Sequence, residues 1–454
     1  MKKNRNHSIR RAKTVFFCLG LILSFSVLFA QQESPVYIKA KKIFTSDGGR
    51  IIMDGAVLVQ DGKIVRVDEK VRPPKNTRVV DYSENVIIPG LIDAFSHMGF
   101  HREDYDVPTE PPSPYRVPLT GRFLLFFGSP EQQAAPPRIE PRFKASSAVS
   151  FRDASFRRFL SEGVTTSVIA IPTANLSGGM SFVARMGGSS VSEFEMKDPV
   201  GMVFVFAGDG NVMKRYGDLK KMFREAMDYR KTSEKYKKDL KKYQDQQKKK
   251  GDLSREKKDE EEPAAKEIKE PKKPRENENH EAVLRVLDRK IPVLIRTSRE
   301  NEILAALKIQ DEFKVWLVLV GGQDAYKIPR ELALRKVSVI AGPDVILNKK
   351  GKRINYIQKL LANDIPVAFC SCSSEGASFI PYQLAYAVQH GLSRSQALDL
   401  VTAQPARILR LSNRIGSIAN GKDADFVILD GEPFDLGTNV RCVYTEGQRV
   451  FSKE

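Results

Sequence analysis

The sequence predicts a (β/α)8 barrel of the TIM type joined to a small composite β-sandwich domain formed by both chain ends. Three observations carry this expectation. The middle of the chain alternates continuous apolar runs with amphipathic stretches, both ends read as β hairpins, and 454 residues exceed what one small core needs. Continuous apolar strands between amphipathic helices describe a parallel sheet covered on both faces. So many strand–helix units in one row favour a closed barrel over an open sheet.

The first element is residues 1–30. Lys2, Lys3, Arg5, Arg10, Arg11 and Lys13 precede the apolar run TVFFCLGLILSFSVLFA. A basic region, an apolar run and a small residue at Ala30 describe a secretory signal peptide. The run is marginally short for a bilayer span, and Cys18 lies inside it rather than at its end. The expectation is a periplasmic or secreted protein with no stable membrane span after cleavage. Losing those six basic residues takes the formal charge from +18 to +12. Such a charge bears on solubility and loose anion binding, not on fold. The chain has no zinc-finger spacing, Walker glycine loop or aromatic–basic repeat, which argues against nucleic acid as a partner.

Residues 31–88 and 413–454 make the composite β domain. GAVLVQDGKIVRVD places Asp-Gly between two apolar runs, and NVRCVYTEGQRVF places Glu-Gly in the same role. Asp-Gly between β-type runs is a strong hairpin signal. Residues 89–412 make the barrel. FRRFLSEGVTTSVIAIP reads helix, turn, strand; KIPVLIRTS, VWLVLVGG, VSVIAGP and IPVAFCSC are further strands, each set between helical stretches. Residues 213–281 break the pattern as a Lys/Glu-rich insertion. Its first part reads as a solvated helix with Tyr229, Tyr236 and Tyr243 seven apart, and its second part, broken by Pro263, Pro271 and Pro274, reads as disordered.

Beyond Cys18 the cysteines are Cys370, Cys372 and Cys442. An odd count argues against a disulfide scaffold. A Cys-x-Cys bridge would be strained, although an exported compartment permits disulfides.

The stretch VIIPGLIDAFSHMG now gains a meaning. With DGKIVRV, GVTT, IPVLIRTSRENEILAALKI, IPVAFCSC and ALDLVTAQPARILRLSNRIGSIANGKDADFVILDGEPFD, it resembles the metal-dependent amidohydrolase superfamily, in particular its exported imidazolonepropionase-like members. The resemblance runs from Val36 to Phe451 apart from the charged insertion. It implies hydrolysis of amide-like C–N bonds by a metal-activated water. It also implies His-x-His after the first strand, a Lys or Glu midway, two further His and a late Asp.

Against that pattern most ligands are replaced. The first His position holds Phe95, leaving His97 as a single surviving metal ligand. His7 leaves with the signal, His280 lies in the insertion, His390 lies near a helix end, and His101 lies in a loop-like stretch. Arg185 stands loosely where a mid-barrel Lys is expected, Arg296-Thr297-Ser298 where a second His motif is expected, Gly321-Gly322 where another His is expected, and Cys372 where the catalytic Asp is expected. Two unit charges 4 Å apart at an effective dielectric near 20 interact by about 4 kcal/mol, and a dication facing Arg296 doubles that repulsion.

The expectation is therefore an amidohydrolase-like protein without a metal cofactor. It would act as a pseudoenzyme, a small-molecule binder, or a subunit paired with itself or with an active relative. Arg185, Arg296 and Arg299 are candidate ligands for a small anion, since a guanidinium holds a carboxylate bidentately. Local pairing of these arginines with Glu300 and Glu302 competes with that role. Cys372 is a candidate catalytic thiolate beside His97, against the commoner buried inert thiol. The alternative is an active hydrolase with an atypical site built from His97, Cys372 and Asp93, with zinc or iron or with no metal.

Overall fold

The computed structural model describes residues 34–100, 139–188, 190–208, 210–256, 269–373 and 379–453. The expected signal peptide, His101 and residues 257–268 of the insertion, Pro263 among them, lie outside the described residues.

The chain ends build one seven-stranded sheet. Its strands are β1 (Val36–Phe44), β2 (Ile51–Gln60), β3 (Lys63–Asp68) and β4 (Arg78–Pro89) from the N-terminal side. Asp61 and Gly62 both take positive φ between β2 and β3, as a two-residue hairpin turn that matches strand twist requires. Ile38, Ile43, Ile52, Val57, Ile64 and Ile87 share its core with Phe426 and Ile428 from the C-terminal side.

β4 runs on through Gly90 into the barrel. A side chain at Gly90 would run into the side chain of Thr165, so only glycine lets the two segments pass this closely. The barrel strands are β5 (Leu91–Ser96), β6 (Val164–Ile169), β7 (Ser177–Arg185), β8 (Glu195–Val205), β9 (Val293–Thr297), β10 (Leu317–Gly321) and β11 (Ser338–Ala341). A small hairpin, β12 (Ile346–Lys349) and β13 (Lys352–Asn355), precedes the last barrel strand, β14 (Val367–Phe369). β15 (Phe426–Leu429), β16 (Val440–Thr445) and β17 (Gln448–Ser452) then complete the first sheet in the order β17-β16-β15-β4-β1-β2-β3.

The barrel sheet runs β5-β6-β7-β8-β9-β10-β11-β14 and is nearly closed. Its lumen is filled by Phe95, Ala170, Val203, Leu294, Val318, Val320, Ile340 and Ala368, while Ile295, Leu319, Val339 and Phe369 face the helices. This two-sided burial is why the strands read as unbroken apolar runs.

One strand departs from the expected parallel order. β7 is antiparallel to both β6 and β8. The link from β6 to β7 covers only residues 170–176, and a parallel crossover needs a dozen or more. The end of β7 therefore lies at the barrel floor, beside the composite sheet, rather than at the mouth.

The charged insertion is partly structural. A 45-residue helix, Val212–Glu256, connects β8 toward the helix Glu278–Leu287 and β9. Leu219, Phe223 and Ala226 are fully buried, and the Phe223 ring meets Phe313 edge-on at 5.1 Å. The early turns thus pack on the barrel, while beyond Arg230 the helix presents mostly exposed lysines. Tyr229, Tyr236 and Tyr243 form a half-buried stripe. Among the described residues no helix is long and apolar enough to cross a membrane.

Candidate functional site

The mouth of the barrel is assembled from the ends of β5, β6, β9 and β14. Every residue of β5 is buried. Asp93 turns its carboxylate toward the seam between β5 and β14. There it accepts from Phe95 N–H at 3.2 Å, Ser371 N–H at 3.0 Å and the Ser371 hydroxyl at 2.5 Å. Burial nevertheless pushes its carboxyl up to about 7, because desolvation disfavours the charged form more than these donors favour it.

Phe95 is fully buried and occupies the lumen with the aliphatic residues. The ring of His97 stands edge-on to it, 5.3 Å between centroids at 84°. His97 is 4% exposed, and its Nδ1 lies 2.8 Å from the Ala170 carbonyl oxygen. A carbonyl only accepts, so Nδ1 carries the proton and Nε2 keeps the lone pair. Burial first, and the cation of Arg296 second, push the imidazole down to about 3. His97 is therefore neutral at any ordinary pH.

Arg296, the penultimate residue of β9, is half-buried and donates to the Thr173 carbonyl at 3.3 Å. Burial and then the neighbouring Arg215 lower its pKa. Arg215 is itself held by the carbonyls of Val205 and Ala207 at 2.9 Å each, and by that of Ala174 at 3.2 Å. Among the described residues, no carboxylate forms an ion pair with Arg296.

The remaining candidates sit differently from expectation. Arg185 is at the barrel floor, because β7 is reversed. Its guanidinium is paired with Asp423, Asp425 and Glu446, so it belongs to the joint between barrel and composite sheet. Arg299 is exposed, just ahead of the helix Glu300–Phe313. Its expected competitor Glu302 is occupied in capping that helix, accepting from Ser298 N–H at 2.7 Å and Arg299 N–H at 3.0 Å. Cys372 is bonded to Cys370 as a disulfide. A disulfide sulfur carries no thiolate, which removes the nucleophile expected there.

His390 ends the helix Ile380–Gln389 with its Nδ1 2.9 Å from the Tyr386 carbonyl, a local helix-end contact. His280 packs against Tyr229, 5.4 Å between ring centroids.

The gathered side chains fit a divalent ion poorly. Phe95 has no lone pair, His97 offers one nitrogen, and Arg296 brings a positive charge. Among the described residues no group of three or more His, Cys, Asp or Glu could hold a metal ion. Catalytic zinc generally takes three protein ligands.

Reading the sequence alone missed Ser371, Thr173 and Arg215. Ser371 stands between the two cysteines and answers Asp93, but only the closed seam brings strand ends 278 residues apart together. Arg215 was hidden by the charged composition of the segment that follows it.

Comparison with known proteins bears on the fold and on the family. The profile described as Amidohydrolase family matches residues 322–451. An amidohydrolase from Thermotoga maritima MSB8 shares 28% identity and superposes with a TM-score of 0.71 over 92% of this chain and 100% of that one. The chain belongs to the metal-dependent amidohydrolase superfamily. Within that superfamily it is 23% identical over 422 residues to Amidohydrolase tasK of Hapsidospora irregularis, covering 87% of this chain and 40% of that protein. It is 38% identical over 69 residues to Adenine deaminase 2 of Jannaschia sp. (strain CCS1), covering 15% of this chain and 11% of that protein. The chain thus spans less than half the length of either curated relative.

Proposed function

We propose that this amidohydrolase is an exported member whose metal-dependent step is absent and whose barrel mouth binds a small carboxylate. The observation that carries the reading is the trio at the mouth. Phe95 fills the lumen edge-on to a neutral His97, and Arg296 stands beside them with only a carbonyl as its direct partner among the described residues. A half-buried guanidinium with no carboxylate against it is a ready partner for a ligand carboxylate, and the pair would be bidentate and charge-assisted. The neutral imidazole adds a lone pair at Nε2 for a ligand N–H or O–H. Together these groups suit a carboxylate that carries a nearby hydrogen-bond donor, as a ring-opened amide or ureide does.

Hydrolysis needs a water of lowered pKa and a polarised carbonyl. His97 would be a weak base at a value of about 3, and Asp93 spends its oxygens on Ser371 and Phe95. The geometry therefore favours binding over turnover.

The test is calorimetric titration of the purified chain with a panel of small dicarboxylates and N-carbamoyl amino acids. At least one is expected to bind, and Arg296→Ala is expected to abolish that binding while leaving the far-UV spectrum unchanged. Binding that survives Arg296→Ala, or a panel with no binder, would sink the reading.

A further inference from the structure

The disulfide between Cys370 and Cys372 spans a single residue at the barrel mouth. Its two sulfurs belong to residues of different access. Cys370 is fully buried in the lumen cluster, whereas Cys372 is half-buried at its edge. The backbone of Cys372 takes φ +52°, in the left-handed region that a residue with a Cβ adopts only when its surroundings hold it there.

Those surroundings are the seam of the barrel. β14 and β5 are the two ends of the barrel sheet, and no strand ladder joins them. The residues after β14 close the gap instead. Ser371 donates its N–H and hydroxyl to Asp93, Cys372 N–H donates to the Phe95 carbonyl at 3.0 Å, and the Ser373 carbonyl accepts from His97 N–H at 3.1 Å. The disulfide encloses Ser371 and fixes the turn from which these bonds are made.

We propose that Cys370–Cys372 is a reversible thiol–disulfide exchange site that controls how tightly this seam is closed, with a dithiol as its reductant. The reductant's thiolate attacks Sγ of Cys372, the more accessible sulfur. The bond between the two cysteines breaks, and its electron pair leaves on Sγ of Cys370, which takes up a proton. The second thiol of the reductant then displaces Cys372 from the mixed disulfide, and Cys372 takes up a proton as well. Two electrons and two protons pass to the protein, and the dithiol becomes a disulfide. The order of attack follows from access, because exchange rates depend on which sulfur the incoming thiolate reaches.

Reduction frees the left-handed turn at Cys372. The bonds from Cys372 to Phe95 and from His97 to Ser373 then lose the constraint that positions them, and the mouth around His97 and Arg296 loosens. The exchange itself does not depend on what the mouth binds.

The experiment uses the full mature chain, isolated without reductant. Cys442 is buried, free and distant in the composite sheet, and serves as the internal control. Differential alkylation with peptide mass spectrometry should find Cys442 alone labelled after denaturation. Equilibration of the folded protein with dithiothreitol should add two labels to the tryptic peptide holding both Cys370 and Cys372, and oxidised dithiothreitol should remove them. In the reduced protein, amide exchange at Cys372 and His97 should be at least about tenfold faster, with the composite sheet unchanged. Three free thiols in the unreduced chain would overturn the proposal. So would a bridge that accepts label only on global unfolding, or reduction that leaves those amides protected. The variant Cys372→Ser should show the fast amide exchange without any dithiol, and slow exchange there would also contradict it.

Discussion

The two ends of the barrel each carry a sequestered arginine, and their surroundings are opposite. At the floor, Arg185 meets Asp423, Asp425 and Glu446, and Asp423 is shared further with Lys63 and Arg414. At the mouth, Arg296 meets a carbonyl and a second arginine. The floor cation is paired with three carboxylates through its two terminal nitrogens, with its buried Nε left over, and it joins the barrel to the sheet made by the chain ends. Among the described residues the mouth cation is poorly answered, and its partial burial costs stability that a bound anion would return. The same residue type is thus a structural joint in one place and, in the function proposed above, a binding group in the other, and only the partners distinguish them.

The comparison breaks most clearly at the floor. Arg185→Met leaves Asp425 buried without its cation, and removing one partner of a buried ion pair typically costs about 3–5 kcal/mol. Urea unfolding should show that loss. A change below about 1 kcal/mol, the range of exposed pairs, would mean that the floor network is not a joint.

A second effect, nearly as large, concerns two groups at the mouth whose titrations oppose each other. Asp93 has a folded value of about 7, above its unfolded one, so its contribution is full below about pH 4 and is lost as pH rises through 7. His97 has a folded value of about 3, below its unfolded one, so its contribution is full above about pH 6.5 and is lost as pH falls toward 3. The two spans correspond to about 4 kcal/mol for Asp93 and about 5 kcal/mol for His97, and between about pH 4 and 6.5 the two slopes cancel. The combined contribution of these two groups should therefore be nearly flat in that window. Asp93→Asn should leave a chain that weakens on acidification, and His97→Gln one that weakens as pH rises. Parallel slopes in the two variants would contradict the assignment.

The smallest effect sharpens the contrast between the arginines. Arg296→Met should be neutral or stabilising by roughly 1 kcal/mol, since replacing a half-buried charge that has no carboxylate partner among the described residues with an apolar chain removes a desolvation cost. A loss as large as that from Arg185→Met would show that Arg296 has a structural partner of its own.

Much of this was readable from the chain alone. The apolar strand runs and the Asp-Gly and Glu-Gly turns are local signals, and each sits where the sequence implied. Arg185 was misplaced because strand direction depends on the length of the link before it, and the seven residues from 170 to 176 were read as part of a parallel unit. Cys372 was misread because pairing with Cys370 depends on a left-handed turn that no propensity announces. The Asp93–Ser371 contact joins residues that only barrel closure brings together. Charge composition also concealed the buried start of the helix Val212–Glu256, where Phe223 packs among lysines in sequence but against Phe313 in space.

The central claim is that the barrel mouth works without a water-activating metal. Elemental analysis of the purified chain, native and Phe95→His, tests it most directly. The account predicts far less than one zinc or iron ion per native chain, and no stoichiometric gain in Phe95→His, because Arg296 still faces the site. One tightly held ion per native chain, lost on chelation together with hydrolysis of a cyclic amide, would contradict it.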